Sequence, residues 1–136
     1  MLKSITKAGV GIVTAGLLAI ASAGAASAAS AQYTIQNSSG QTLTLDTASC
    51  TNGGTISPPF SVANGSTVSV TGSVSGTTTL CNIRYQKSNG GCQFQVQVNG
   101  STGFASTNAY KGTATCTKLN EGSTGSSSYQ GSFRMQ

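Results

Sequence analysis

Cys92-Gln93-Phe94-Gln95-Val96-Gln97-Val98 has an apolar residue at every second position and a glutamine at each position between. A period of two sends alternate side chains to opposite faces of a strand, one toward a core and one toward solvent. A helix would instead repeat its apolar face every three or four residues. The preceding run, Thr79 to Gln86, has the same alternation, with Cys81, Ile83 and Tyr85 on one parity and Asn82, Arg84 and Gln86 on the other. Ser88-Asn89-Gly90-Gly91 between the two runs is turn chemistry. The two runs are therefore expected to form a hairpin that brings Cys81 near Val98.

Working outward, the template repeats. Tyr33 and Ile35 share a parity, as do Leu43 and Leu45. Val62, Val68 and Val70 mark a middle pair, Ala114 and Cys116 a later strand, and Tyr129, Phe133 and Met135 the last one. Asn52-Gly53, Asn64-Gly65, Asn89-Gly90 and Asn99-Gly100 punctuate the runs, and Asn-Gly is the strongest short hairpin signal because both residues accept positive φ. Pro58-Pro59 cannot donate to a strand ladder and predicts a rigid crossover or an edge entry. No segment beyond residue 31 has helical periodicity. The pattern predicts an all-β fold, a small antiparallel β-sandwich of about seven strands. Four Phe, four Tyr and no Trp make a thin core, which disulfides would reinforce.

The first residues read as an export leader. Lys3 and Lys7 precede an uncharged run, Ala8 to Ala21, and two small-residue processing signals follow, Ala26-Ser27-Ala28 and Ala29-Ser30-Ala31. The run is too diluted by Gly and Ala for the ~20 strongly apolar residues of a spanning helix. The second signal is preferred, so residues 1–31 are expected to be a signal peptide and residues 32–136 a single sandwich domain. The expected location is secreted: extracellular, or periplasmic in a Gram-negative host.

Cys50, Cys81, Cys92 and Cys116 all follow the leader, and an even number in an oxidising compartment implies two disulfides. Zinc is not expected, since there is no Cys-x-x-Cys and no histidine. Four cysteines allow three pairings. The hairpin marks down Cys81–Cys92, and of the two pairings left open the favoured one is Cys50–Cys81 with Cys92–Cys116.

Beyond the leader, the chain carries two carboxylate side chains, Asp46 and Glu121, against five cations, Arg84, Lys87, Lys111, Lys118 and Arg134. Without histidine a serine nucleophile lacks its usual base, and no Ser-x-x-Lys follows the leader. Asp46, at a strand end, and Glu121, in an expected turn, are the only candidates for a glycosidase pair, and they supply no carboxylate cluster for calcium. The glycine-rich turns lack the Gly-Lys-Ser/Thr ending of a phosphate loop. No catalytic residue, metal or cofactor is expected, and the protein reads as a non-enzyme. The cations are scattered along the chain, whereas nucleic-acid binders cluster theirs, so no nucleic-acid partner is expected. Asn37-Ser38-Ser39, Asn64-Gly65-Ser66 and Asn99-Gly100-Ser101 match the glycosylation acceptor pattern.

The candidate binding residues are Phe104, Tyr110 and Lys111, in a segment (Asn99 to Lys111) that reads as a polar loop. An aromatic pair with a cation suits a lipid headgroup interface or a glycan. The alternative is that both rings fold back and cap the sandwich.

Tyr33-Thr34-Ile35-Gln36-Asn37-Ser38-Ser39-Gly40-Gln41-Thr42-Leu43-Thr44-Leu45 resembles the opening hairpin of aegerolysins and related actinoporin-like secreted β-sandwiches. Ser57-Pro58-Pro59 with Asn64-Gly65-Ser66 resembles their next loop, and Cys81-Asn82-Ile83-Arg84-Tyr85-Gln86 their central strand. The resemblance spans about two-thirds of the part after the leader. It implies a sandwich that recognises membrane lipids and in some members helps a partner protein make pores. The chain departs from that family in being basic, in lacking Trp and in carrying four cysteines. The leading expectation is thus a secreted, toxin-like binding protein for a membrane or cell-surface ligand, with a possible role for a protein partner. A structural surface, fimbrial or matrix subunit is the second expectation, because its strands are polar and uncharged. A secreted-hydrolase inhibitor presenting Thr51 to Pro59 is the third.

Overall fold

The computed structural model describes residues 28–136. The expected leader lies outside the described residues as far as residue 27, while its last four residues fall inside. Nine strands follow: β1 (Ala29–Asn37), β2 (Leu43–Cys50), β3 (Ser61–Val62), β4 (Thr67–Val74), β5 (Thr78–Lys87), β6 (Gly90–Asn99), β7 (Thr102–Gly112), β8 (Cys116–Gly125) and β9 (Ser128–Met135). The described residues contain no helix. A four-stranded sheet runs β4-β1-β9-β8 and a five-stranded sheet runs β3-β2-β5-β6-β7. The all-β sandwich is as the alternation predicts, with nine strands where about seven are expected.

One pair is not antiparallel. β1 and β9 run parallel, with Tyr33 beside Gly131 and Ile35 beside Phe133. These two strands come from opposite ends of the described chain and sit at the centre of their sheet. Sequence periodicity carries no information about such non-local pairing.

The inward parity of each strand builds the core. Tyr33 and Ile35 of β1 and Phe133 and Met135 of β9 face Ile83 and Tyr85 of β5 and Phe94, Val96 and Val98 of β6, all of them buried. Phe133 lies at the middle, its ring centroid 5.2 Å from that of Phe94 and 6.0 Å from that of Tyr33. The Tyr33 hydroxyl crosses from one sheet into the other. It accepts a hydrogen bond from Val96 N at 3.0 Å and donates to Cys81 O at 2.5 Å, joining β5 and β6 at their Cys81–Val96 pair.

The central hairpin forms in a different register from the one expected. Lys87 pairs with Gly90 around the two-residue loop Ser88-Asn89, so Cys81 lies opposite Val96 and Tyr85 opposite Cys92. The tighter turn leaves Gly90-Gly91 inside β6. At Asn99-Gly100 the paired residues are Asn99 and Thr102. The loop is therefore Gly100-Ser101, with Gly100 at φ 61° in the first central position, where glycine has no side-chain clash.

Both disulfides take the favoured pairing. Cys50–Cys81 joins β2 and β5 within one sheet, with Cα atoms 4.0 Å apart, and Cys92–Cys116 joins β6 to β8 across the sheets at 5.8 Å. A side chain at Gly72 of β4 would meet the Cys81 and Cys50 sulfurs at 2.6 and 2.8 Å, so the first bridge packs on the opposite sheet. The Pro58-Pro59 segment forms no strand. Just before it Thr55 bridges to Ser73 of β4, and just after it β3 joins β2 of the other sheet, so the segment crosses between sheets. Tyr85 Oη donates to Pro59 O at 2.6 Å and anchors the crossing.

Candidate functional site

Gly91 leaves a gap on the outer face of the five-stranded sheet, and the Tyr110 ring of β7 lies across it, while Gly90 has the opposite parity and packs on Ala114. A Cβ at Gly91 would come within 2.6 to 2.9 Å of the Tyr110 ring. Two bulges aim the groups around this gap. Tyr110 is the extra residue where the β6–β7 register shifts between Gly91 and Cys92, and Asp46 is the extra residue where β2 shifts between Leu45 and Thr47. A bulge turns its residue out of the ladder. Here the turned residues meet, with Tyr110 Oη donating to Asp46 Oδ2 at 2.6 Å.

The Arg84 guanidinium carbon sits 4.8 Å from the Tyr110 ring centroid, within cation–π range, while its Nε donates to Gln93 Oε1 at 2.8 Å. Lys111 Nζ donates to Gln86 Oε1 at 3.0 Å, reaching across Gly91, which pairs with both residues. Ser88 N and Oγ both donate to Gln41 Oε1, at 3.2 and 2.8 Å. Lys87 and Lys111, with Thr42, Thr44, Gln86 and Ser88, line an open groove of about 340 Å³ beside this cluster. Desolvation, the hydrogen bond to Asp46 and the Asp46 charge all raise the Tyr110 phenol pKa above its ordinary value, opposed by Arg84. The phenol therefore stays a hydrogen-bond donor at neutral pH.

The structure thus brings Tyr110 and Lys111 together with Arg84, Gln86, Lys87 and Asp46. Phe104 stays apart. It lies six residues back along β7, roughly 20 Å at ~3.4 Å per residue, is 44% exposed and pairs with Gln97. Thr102–Gly112 is a strand where a loop is expected, and neither ring caps the core. The inward positions of β7 hold Gly103 and Ala105, and a Cβ at Gly103 would meet the Tyr129 ring at 2.6 Å. Such small residues leave no hydrophobic alternation to read. The cations are scattered along the chain, yet the fold brings Lys87 and Lys111 to one groove and sets Arg84 on the neighbouring Tyr110 ring. Sheet register joins them, with Gln86 opposite Gly91 and Gly91 opposite Lys111. The only sequence signal is the outward parity of Arg84 and Gln86.

Glu121 belongs to the other sheet, in strand β8 where a turn is expected. It pairs with Lys118 and accepts a hydrogen bond from Tyr129 Oη at 2.9 Å. The Lys118 bond is the main cause holding its carboxyl below the ordinary range, aided by Tyr129 and opposed by desolvation. It lines a polar pocket of about 180 Å³ with Asn120, Ser123 and Thr124. Asp46 and Glu121 therefore sit on strands of different sheets, each held by its own tyrosine.

Asn37 of the first acceptor pattern is buried, 1% exposed. Its Nδ2 donates to Gln41 O and Val62 O at 2.8 and 2.9 Å, and its Oδ1 accepts from Ser39 N and Ser39 Oγ at 3.0 and 2.7 Å. Its amide shapes the β1–β2 connection and is not free for a glycan. Asn64 and Asn99 are exposed. Among the described residues no three His, Cys, Asp or Glu side chains gather as metal ligands. No family model and no curated protein matches the chain.

Proposed function

We propose that this chain is an exported, non-catalytic binding protein that recognises anionic groups on a membrane or cell surface, phosphate-bearing lipid headgroups foremost. The observation that carries the reading is the groove where Lys87 and Lys111 converge beside Arg84. Hydroxyls and amides of Thr42, Thr44, Gln86 and Ser88 line it and suit hydrogen bonding to phosphate or carboxylate oxygens. An exposed Lys or Arg near an anionic leaflet contributes about 1 kcal/mol. The one carboxylate nearby, Asp46, is engaged by Tyr110. The two disulfides support the exported part of the reading, because such bonds persist in oxidising compartments.

Co-sedimentation with phosphatidylcholine vesicles, with and without phosphatidylglycerol, tests it. Binding should need the anionic lipid and weaken as added salt screens the charges. An acidic polysaccharide in a parallel arm separates a glycan carboxylate from a lipid phosphate. Failure to bind in every arm, with both disulfides intact, refutes the proposal.

One observation favours a second reading, a self-assembling structural subunit. β4 is an edge strand with no charge and no proline; Thr55 covers it at Ser73, and the remaining edge from Thr67 to Thr71 is a template for pairing with another chain. Sedimentation velocity at high concentration decides it, and a strict monomer counts against it.

A further inference from the structure

We infer that the leader is removed between Ala28 and Ala29, at the first of the two small-residue signals, so that the exported protein begins Ala29-Ser30-Ala31-Gln32. The inference rests on the export reading above and deepens it by assigning the processing site. Both signals satisfy the sequence rule, because each offers small residues at the positions one and three before the cut. A cut after Ala28 replaces the preference for the second signal that the sequence alone suggests. The fold separates the two.

β1 begins at Ala29 and is an interior strand, hydrogen-bonded to β4 on one side and β9 on the other. Ala29 and Ala31 are both 0% exposed and belong to the core. Ala29 pairs with Val74 and Ala31 with Gly72 of β4, while Ser30 and Ala31 pair with Ser128 and Tyr129 of β9. Ala29 N donates to Gly76 O at 2.8 Å and Ser30 N to Ser127 O at 2.9 Å.

A cut after Ala31 would discard three of the nine residues of this strand. Two apolar side chains would leave the core, and backbone groups on two flanking strands would lose their partners, which buried backbone rarely tolerates. A cut after Ala28 discards none of these contacts. Ala28 is exposed and lies outside the strand. The reaction is hydrolysis: water adds across the Ala28–Ala29 amide, leaving a carboxylate on the leader and a free amine on Ala29. That amine keeps the Gly76 carbonyl as its acceptor. The peptidase meets the chain during export, before folding, so burial of Ala29 in the sandwich is no obstacle.

Intact-mass measurement and N-terminal sequencing of the protein exported by cells making the full chain provide the test. The expected product starts at Ala29 and carries two disulfides. A product starting at Gln32, lighter by Ala-Ser-Ala, overturns the inference and leaves export standing. An uncut chain retained in the cell overturns export itself. In Ala28→Leu, which blocks the residue before the proposed cut, the Ala29 product should disappear in favour of precursor or a Gln32 start. An unchanged Ala29 product from that variant also overturns the inference.

Discussion

Replacing Tyr33 with phenylalanine removes one oxygen atom from the middle of the core and leaves the ring, its burial and its contact with Phe133 in place. The hydroxyl accepts from Val96 N at 3.0 Å and donates to Cys81 O at 2.5 Å, so Tyr33→Phe strands a buried N–H and a buried C=O together. A made hydrogen bond is worth about 1 kcal/mol net, and a buried group left without a partner costs about 1–3 kcal/mol. Partial closing of the β5–β6 ladder would recover some of this, giving an expected loss of about 2–4 kcal/mol. Against a typical domain stability of about 5–15 kcal/mol that is a large fraction. Tyr85→Phe is the internal control, because it loses a single bond, to Pro59 O in the crossover, and should cost about 1 kcal/mol. Urea unfolding followed by far-ultraviolet circular dichroism, with disulfides intact, measures both. With a mid-range slope of about 2 kcal/mol per molar urea, the Tyr33→Phe midpoint should fall by about 1–2 M. A Tyr33→Phe variant as stable as the parent, or more stable than Tyr85→Phe, refutes the bridging role.

Further outcomes follow from the same geometry. Tyr33, Tyr85 and Tyr110 all have raised phenol pKa values, with burial the largest cause and Tyr85 pushed up to about 12. The unfolded chain releases these protons near pH 10 while the folded chain holds them, so their contribution is complete below pH 10 and declines above it. For Tyr85 alone, discounted for solvent screening, the loss between pH 10 and 12 is about 1–2 kcal/mol. Thermal melts across that range measure it, and titration of all the tyrosines near pH 10 in the folded protein contradicts it. Asn37→Ala removes four hydrogen bonds at a buried site and should destabilise by about 2–4 kcal/mol; mass spectrometry of protein from a glycosylating host should find Asn37 unmodified. Gly91→Ala puts a methyl group against the Tyr110 ring, so the ring should leave Asp46 and its phenol should ionise at lower pH than in the parent, as read by tyrosinate absorbance.

Much of the sandwich was legible because strand parity is a local property. Phe94, Val96 and Val98 point inward and Gln93, Gln95 and Gln97 outward, as the two-residue period dictates. The expected hairpin, two residues off in register, marked down only Cys81–Cys92, since either register keeps those two apart; the choice between the other two pairings is made by which strands neighbour each other in the fold. β7 was hidden because its inward residues are Gly103 and Ala105. Of β8 only Cys116 was anticipated, with Ala114 lying outside the strand, because bulges at Lys118/Asn120 and Ser123/Gly125 interrupt the alternation beyond it. The parallel β1–β9 pair and the Lys87–Lys111 groove arise from contacts between residues far apart in the chain, which no local pattern encodes. Tyr110 and Lys111 were visible as a chemical combination, but their partners Arg84 and Asp46 depend on the register and on two bulges.

The most direct test of the proposed function compares the parent with the Lys87→Ala/Lys111→Ala double variant on vesicles containing phosphatidylglycerol. At about 1 kcal/mol per cation, losing both should weaken binding by about 2 kcal/mol, roughly 30-fold, with unchanged urea stability and a smaller dependence on salt. Equal affinity in parent and variant would contradict the account.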